Sequence, residues 1–162
     1  MINLYSNIPH ELGKRAIEYW LNKYPDTKNQ RFTRELIVES LSLILENNVF
    51  RFDGEYYIQK KGCAMGTKCA PTYATLSLGY IEVLLYEKLR NTSESFAMFF
   101  KRNWKRYLDD CFIMWTKSLS DLHDFHQLLN QLEPSIQYEM KYSQCESKFL
   151  DLKVLQNYGM IH

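Results

Sequence analysis

The sequence contains no run of eighteen apolar residues, so no segment is long and apolar enough to cross a bilayer as a helix. Its four cysteines, Cys63, Cys69, Cys111 and Cys145, form no CxxC pair, and its four histidines are not spaced with them as zinc ligands are. The opening Met-Ile-Asn-Leu-Tyr does not begin a secretory signal. No disulfides are therefore expected, the chain is read as not secreted, and a reducing intracellular compartment is the expectation. Glycine and proline are scarce, at six and four residues of 162. With no Gly/Ser or Pro linker, internal repeat or low-complexity tract, a collagen-like chain and a disordered tail are excluded. Neither sign of charge prevails. Twenty Lys and Arg face nineteen Asp and Glu, a net charge of +1, so any nucleic-acid signal has to be local.

Apolar and aromatic residues are plentiful. Hydrophobic residues are 46% of the chain and aromatics 15%, enough to build a real core in one domain or part of one. Residues 2–5 read as the end of a strand. Asn7 caps and Pro9 opens a helix with Leu12, Ala16, Trp20 and Tyr24 on one face, ended by Pro25 and Asp26. Thr33 caps a second helix whose stripe is Leu36, Ile37, Leu41, Ile44 and Leu45. Residues 49–58 read as a hairpin with Asp53-Gly54 as a two-residue turn. A polar loop covers residues 59–69. Pro71 starts a long helix in which Ala74, Leu78, Ile81, Leu85 and Leu89 share a face. Residues 91–95 read as a flexible stretch. Residues 104–115 read as two short strands around Leu108-Asp109-Asp110. Residues 120–132 form a helix with Leu122, Phe125, Leu129 and Leu132 buried, stopped by Pro134. Residues 136–142 and 149–155 read as strands. The order predicts an α+β fold with a mainly antiparallel sheet and helices on one face.

Three features carry chemistry. Tyr107-Leu108-Asp109-Asp110 places two adjacent acids at a hairpin tip, a donor pair suited to a hard divalent cation that keeps waters and phosphates as its other ligands. Asp-Asp is also ordinary turn chemistry between two strands. Residues 62–71 set two glycines before a helix, which lets backbone approach a flat or charged ligand; a plain flexible connection fits the same residues. The run from Phe99 to Tyr107 has four basic residues, no acid and four aromatics. Its cations can neutralise phosphates and its rings can stack on bases, or Trp104 and Tyr107 are core strand residues with the cations as a solvated edge.

In order and spacing these features resemble the palm of a reverse transcriptase, most closely the Penelope-like retroelement class. Five blocks carry the resemblance. Leu4-Tyr5-Ser6-Asn7-Ile8-Pro9 resembles the tail of the family's first catalytic block, which reads Asp-Val-x-x-Leu-Tyr-Thr-Asn-Ile-Pro. Residues 59–71, with Ala74, resemble the second, Gly-x-Ala-Met-Gly ending in Pro. Arg106-Tyr107-Leu108-Asp109-Asp110 resembles the Tyr-x-Asp-Asp box. Residues 136–142 sit where the fourth block lies, and Phe149-Leu150-Asp151-Leu152-Lys153-Val154 resembles the fifth. The resemblance spans residues 1–162.

It implies a polymerase palm of the ferredoxin-like βαββαβ type. It implies an RNA-directed DNA polymerase that joins a primer 3′-hydroxyl to the α-phosphate of a dNTP, with two Mg²⁺ ions as cofactors and Mn²⁺ able to substitute. Partners would be an RNA template and a DNA primer, and the life cycle implies access to the nucleus. Asp109 and Asp110 would be the catalytic, metal-binding carboxylates. Tyr5 would lie beneath the sugar and exclude a 2′-hydroxyl. Met65 and Gly66 would contact the incoming dNTP, Met65 by apolar packing. Lys141 would be a proton donor to pyrophosphate, although a solvated strand lysine fits as well. Lys101, Arg102, Lys105 and Arg106 would contact template or primer phosphates, and Phe149 and Leu150 the primer end. Asp151 would be structural.

One departure from the family pattern bears on activity. The family's first metal-binding Asp falls immediately before the residue aligned with Met1, its fingers precede that, and most of its thumb follows residue 162. The expectation is a palm fragment whose isolated chain is inactive as a polymerase. A non-catalytic nucleic-acid-binding module and an inert retroelement relic are the alternatives. Apolar surface left bare where fingers and thumb pack would favour self-association.

Overall fold

The structure is a computed structural model and describes residues 1, 4–27, 31–64, 66–157 and 160–161. The α+β class holds: helices alternate with short antiparallel strands. The chain divides into two compact units, one of Asn3–Leu84 and one of Leu85–His162 together with Met1–Ile2.

The first unit begins with a helical turn, α1 (Leu4–Asn7), followed by α2 (His10–Lys23), a 3-10 turn (Pro25–Thr27) and α3 (Arg34–Glu46). The strand expected at residues 2–5 is not formed at residues 4 and 5. The amide of Ile8 bonds to the carbonyl of Leu4 instead, which brings the buried Leu4 and Ile8 onto one side of a helical turn. Asn7 therefore lies inside α1 rather than capping α2. The cap position falls to Pro9, whose side chain offers no capping bond and whose carbonyl accepts from Gly13. The second cap is as expected: the Thr33 hydroxyl accepts from the Leu36 amide at 3.1 Å. Strands β1 (Val49–Phe52) and β2 (Glu55–Ile58) close on Asp53-Gly54, both at positive φ, as a two-residue turn requires.

Helix α4 (Ala70–Thr92) carries the expected buried face of Ala74, Leu78, Ile81, Leu85 and Leu89. In the first unit it packs on α2 through Tyr73, which sits in a slot left by Gly13. The Tyr73 hydroxyl donates to the Pro9 carbonyl at 3.1 Å, and a Cβ at position 13 would lie 2.0 Å from the ring.

In the second unit, α4 ends at Thr92 and α5 (Glu94–Asn103) starts after the single residue Ser93, so residues 91–95 are helix ends, not a flexible stretch. Ser93 makes the break: its hydroxyl accepts from the Phe96 amide. Strands β3 (Trp104–Tyr107) and β4 (Asp110–Ile113) form a hairpin, and α6 (Leu119–Leu132) is capped by Ser118. The core is a cluster of rings. Phe125 on α6 meets Phe96, Phe100, Trp104 and Trp115 at centroid distances of 5.5–6.1 Å.

Two expected strands are corrected. Residues 136–142 join no ladder. The backbone of Tyr138 is held by side chains of α6: its amide donates to Asn130 Oδ1 at 2.7 Å, and its carbonyl accepts from His126 Nε2 at 2.6 Å and Asn130 Nδ2 at 3.2 Å. Its donor and acceptor are thereby used, leaving none for a neighbouring strand. Residues 149–155 are not one strand either. They are broken by a turn at Leu150-Asp151 between β5 (Glu146–Phe149) and β6 (Leu152–Asn157), with Leu150 at φ +55°. Asp151 is accordingly a turn residue and not a mid-strand acid. A short β7 (Met160–Ile161) pairs with β6. The strands of the described residues form three separate small sheets, β1-β2, β3-β4 and β5-β6-β7. The second and third adjoin through Phe112 against Phe149, at 5.5 Å.

Replacing Gly13 by Ala tests the slot. Alanine improves helix propensity by about 1 kcal/mol, but the clash with Tyr73 costs about 1–3 kcal/mol. A lower melting temperature by circular dichroism is expected; an unchanged or higher one would show that the ring yields freely.

Candidate active site

Each unit gathers some of the residues singled out in the sequence. In the second unit the Asp pair lies on the β3–β4 hairpin. Tyr107 pairs with Asp110, so the turn is only Leu108-Asp109, and Asp110 is the first residue of β4 rather than part of a three-residue tip. A two-residue turn requires backbone that Leu dislikes, and Leu108 sits at φ +49°. Arg106 braces it, donating to the Leu108 carbonyl at 3.3 Å. Both carboxylates are exposed, and both line a cavity of about 420 Å³. Lys141 lines the same cavity, held there by the side-chain clamp on Tyr138 three residues earlier. Met1 lines it too, and its amino group donates to the Asp109 carbonyl at 3.0 Å. Among the described residues no group of three or more His, Cys, Asp or Glu side chains gathers to hold an ion.

The basic run does not form one surface. Lys101 and Arg102 end α5, with Lys101 over the Tyr86 ring, while Lys105 and Arg106 lie on opposite faces of β3. Of the aromatics, Phe100 and Trp104 belong to the ring cluster around Phe125, whereas Tyr107 is 59% exposed. Phe149 packs on Phe112, and the exposed Leu150 sits at its own turn, outside the lining of the cavity.

In the first unit, Tyr5 and the glycine loop come together. The Cys63 amide donates to the Tyr5 carbonyl at 2.7 Å, and His10 Nε2 donates to the Gly62 carbonyl at 2.8 Å. Gly62 makes this approach possible: φ is +72°, and a Cβ would lie 2.4 Å from the Tyr5 carbonyl oxygen. Gly66 is exposed, with open space where a Cβ would stand, so steric need does not explain it. Met65 lies outside the described residues.

All four cysteines are free. Burial, reinforced by the neighbouring Cys69 thiol, pushes the Cys63 thiol up to about 11, and burial holds the Tyr73 hydroxyl above the usual tyrosine range. Both stay protonated at neutral pH and act as packing groups beneath the loop.

Sequence reasoning missed the clamp of His126 and Asn130, and also Glu146 and Lys148, which line the cavity. The spacing of His126 and Asn130, four apart beside the Leu122–Phe125–Leu129 stripe, was the available signal. Glu146 and Lys148 gave none.

No protein-family model matches the chain, and neither a curated protein nor a solved structure does. No helix among the described residues is long and apolar enough to cross a membrane.

Leu108→Gly relieves a positive φ that costs Leu about 1–2 kcal/mol and gives back about 0.5–1 kcal/mol of chain entropy. Urea denaturation should show a net gain of up to about 1 kcal/mol; a loss would mean that the Leu108 side chain carries packing. Cys63 sets a pH dependence. Its thiol titrates near 9.0 when unfolded and near 11 when folded, so its stabilising contribution is complete below pH 9 and fades as the pH rises through 11. Stability measured between those limits should fall less steeply in Cys63→Ala than in the parent chain.

Proposed function

We propose that this chain is the palm of a reverse transcriptase of the Penelope-like retroelement class, whose family reaction is template-directed DNA synthesis with an Asp at the position directly before Met1. The observation that supports this most is the convergence of Asp109, Asp110, Lys141 and the amino terminus on one cavity. The Met1 amino group rests on the Asp109 carbonyl, so a residue joined before Met1 would emerge beside the Asp pair. That is the position at which the family pattern has its Asp. The pairing of Tyr5 with the residue 62–69 loop supports the same reading, since the family uses both at the nucleotide. The βαββαβ palm topology belongs to this proposal.

Two exposed hard carboxylates suit Mg²⁺ or Mn²⁺, which take one or two carboxylates and complete their shells with water and phosphate oxygen. Asp109 and Asp110 would hold the ions, which when bound stabilise the attacking and leaving oxygens of a phosphoryl transfer. Lys141 would carry a proton or a positive charge to the departing pyrophosphate. Tyr5 would bar a 2′-hydroxyl by bulk. Lys101, Arg102, Lys105 and Arg106, with Phe149 and Leu150, would hold template and primer.

A second reading, a palm-type module that binds nucleic acid without turnover, is favoured by the exposure of Lys101, Arg102, Lys105 and Tyr107. Exposed apolar side chains of the first unit, Leu36, Leu43 and Ile44 among them, fit self-association, which sedimentation would report.

The test is to insert Asp directly before Met1. Titrated with Mn²⁺, the extended chain should bind at least about tenfold more tightly than the parent and should extend a DNA primer on an RNA template. Asp109→Asn should abolish both gains. An extended chain with neither gain would overturn the polymerase reading. Salt-sensitive binding of a primer–template, weakened when Lys101, Arg102, Lys105 and Arg106 become Gln, would then leave the binding module.

A further inference from the structure

Strands β1 and β2 form a ribbon whose eight residues are all exposed. An isolated two-stranded ribbon is marginal in water, and a solvated one ordinarily keeps one polar face. This one has apolar side chains on both. Directly opposed residues share a face, so Val49, Ile58, Arg51 and Tyr56 lie on one side and Phe50, Tyr57, Phe52 and Glu55 on the other. Four of the six apolar side chains are flat rings. Phe50 and Tyr57 stack at 5.6 Å, and the Arg51 guanidinium lies 5.8 Å from the Tyr56 ring. Phe52 and Tyr56 are 69% and 73% exposed.

Charge is unevenly spread along the ribbon. Asp53 and Glu55 mark the tip, Arg51 sits midway with its Nε donating to the Gly54 carbonyl, and the exposed Lys60 and Lys61 follow at the root. Rings interleaved with cations, and acids confined to one end, suit a polyanion whose monomers have flat faces. An acidic peptide would use the cations but not the rings, and an apolar partner the rings but not the cations.

We propose that the β1–β2 ribbon is a binding site for single-stranded nucleic acid, with bases stacked on Phe50, Phe52 and Tyr57, the three rings that share a face, and phosphates held by Lys60 and Lys61 at the root. This rests on the nucleic-acid reading above and adds a strand-binding element separate from the Asp109–Asp110 cavity.

The test uses the full chain and fluorescein-labelled oligo-dT and oligo-U of about 12 nucleotides, within the footprint of one small binding domain, read by anisotropy. The double variant Phe52→Leu with Tyr57→Leu keeps apolar area but removes two ring faces from one side of the ribbon. It should bind roughly 5- to 100-fold more weakly, with the salt slope unchanged. Phe52→Tyr with Tyr57→Phe keeps the rings and should bind like the parent, and a far-ultraviolet circular dichroism spectrum of the leucine variant matching the parent's separates lost stacking from misfolding. Lys60→Gln with Lys61→Gln should lower the salt slope by about 1.4, two single-strand phosphate contacts. A parent chain that binds neither oligonucleotide would overturn this inference together with the nucleic-acid reading. A parent that binds, with the leucine variant equally tight, would overturn the ribbon site alone. A leucine variant that binds equally but sediments differently from the parent would assign the ribbon to protein contact instead.

Discussion

Closing an antiparallel pair in two residues forces the chain through positive φ, because only then does the turn match the twist of its strands. The three longest strand pairs here accept that constraint, and each takes it on different residues. Asp53-Gly54 meets it with a residue that tolerates it and one that welcomes it. Leu108 and Leu150 meet it with side chains that do not. In both of the latter turns the next residue is an acid, Asp109 or Asp151, lifted to the apex by a leucine in an unfavourable conformation. The position of the Asp pair is thus inseparable from local strain, and the Arg106 bond to the Leu108 carbonyl is part of what holds that strain in place.

What could be read from the residues alone was whatever has a local cause. The Thr33 cap, the Asp53-Gly54 turn and the α4 stripe each depend on a few neighbours, and each is found. The failures share a different origin. Residues 136–142 have strand-like composition, but two polar side chains twelve and eight positions upstream claim the backbone of Tyr138. The break at Leu150-Asp151 has one turn-forming residue, Asp151, and it sits between leucines whose alternation reads equally as a strand with the acid on its other face. Helix α5 was obscured because its last turn shares Lys101 and Arg102 with the basic run. Its start is signalled by the Ser93 cap, which lies within the polar stretch 91–95 that reads as flexible from composition.

The candidate site was legible in the same uneven way. Asp109 and Asp110 of one block and Lys141 of another line one cavity, and Tyr5 meets the glycine loop. The continuity of the basic run was not legible, because period-two alternation on β3 sends Lys105 and Arg106 to opposite faces. Of the two glycines, the one whose lack of a side chain has a steric reason is Gly62, which lets the loop touch the backbone of α1, rather than Gly66.

The clamp on Tyr138 has a consequence for how the cavity wall answers to acid. A carbonyl can only accept, so the short contact from His126 means that Nε2 carries its hydrogen. That hydrogen is present whether the imidazole is neutral in this tautomer or fully protonated. Asn130 supplies the acceptor for the Tyr138 amide and has no charge to change. The segment leading to Lys141 is therefore anchored by groups that make the same bonds in both charge states. Its placement asks nothing of a neighbouring strand, because both anchors are side chains of α6.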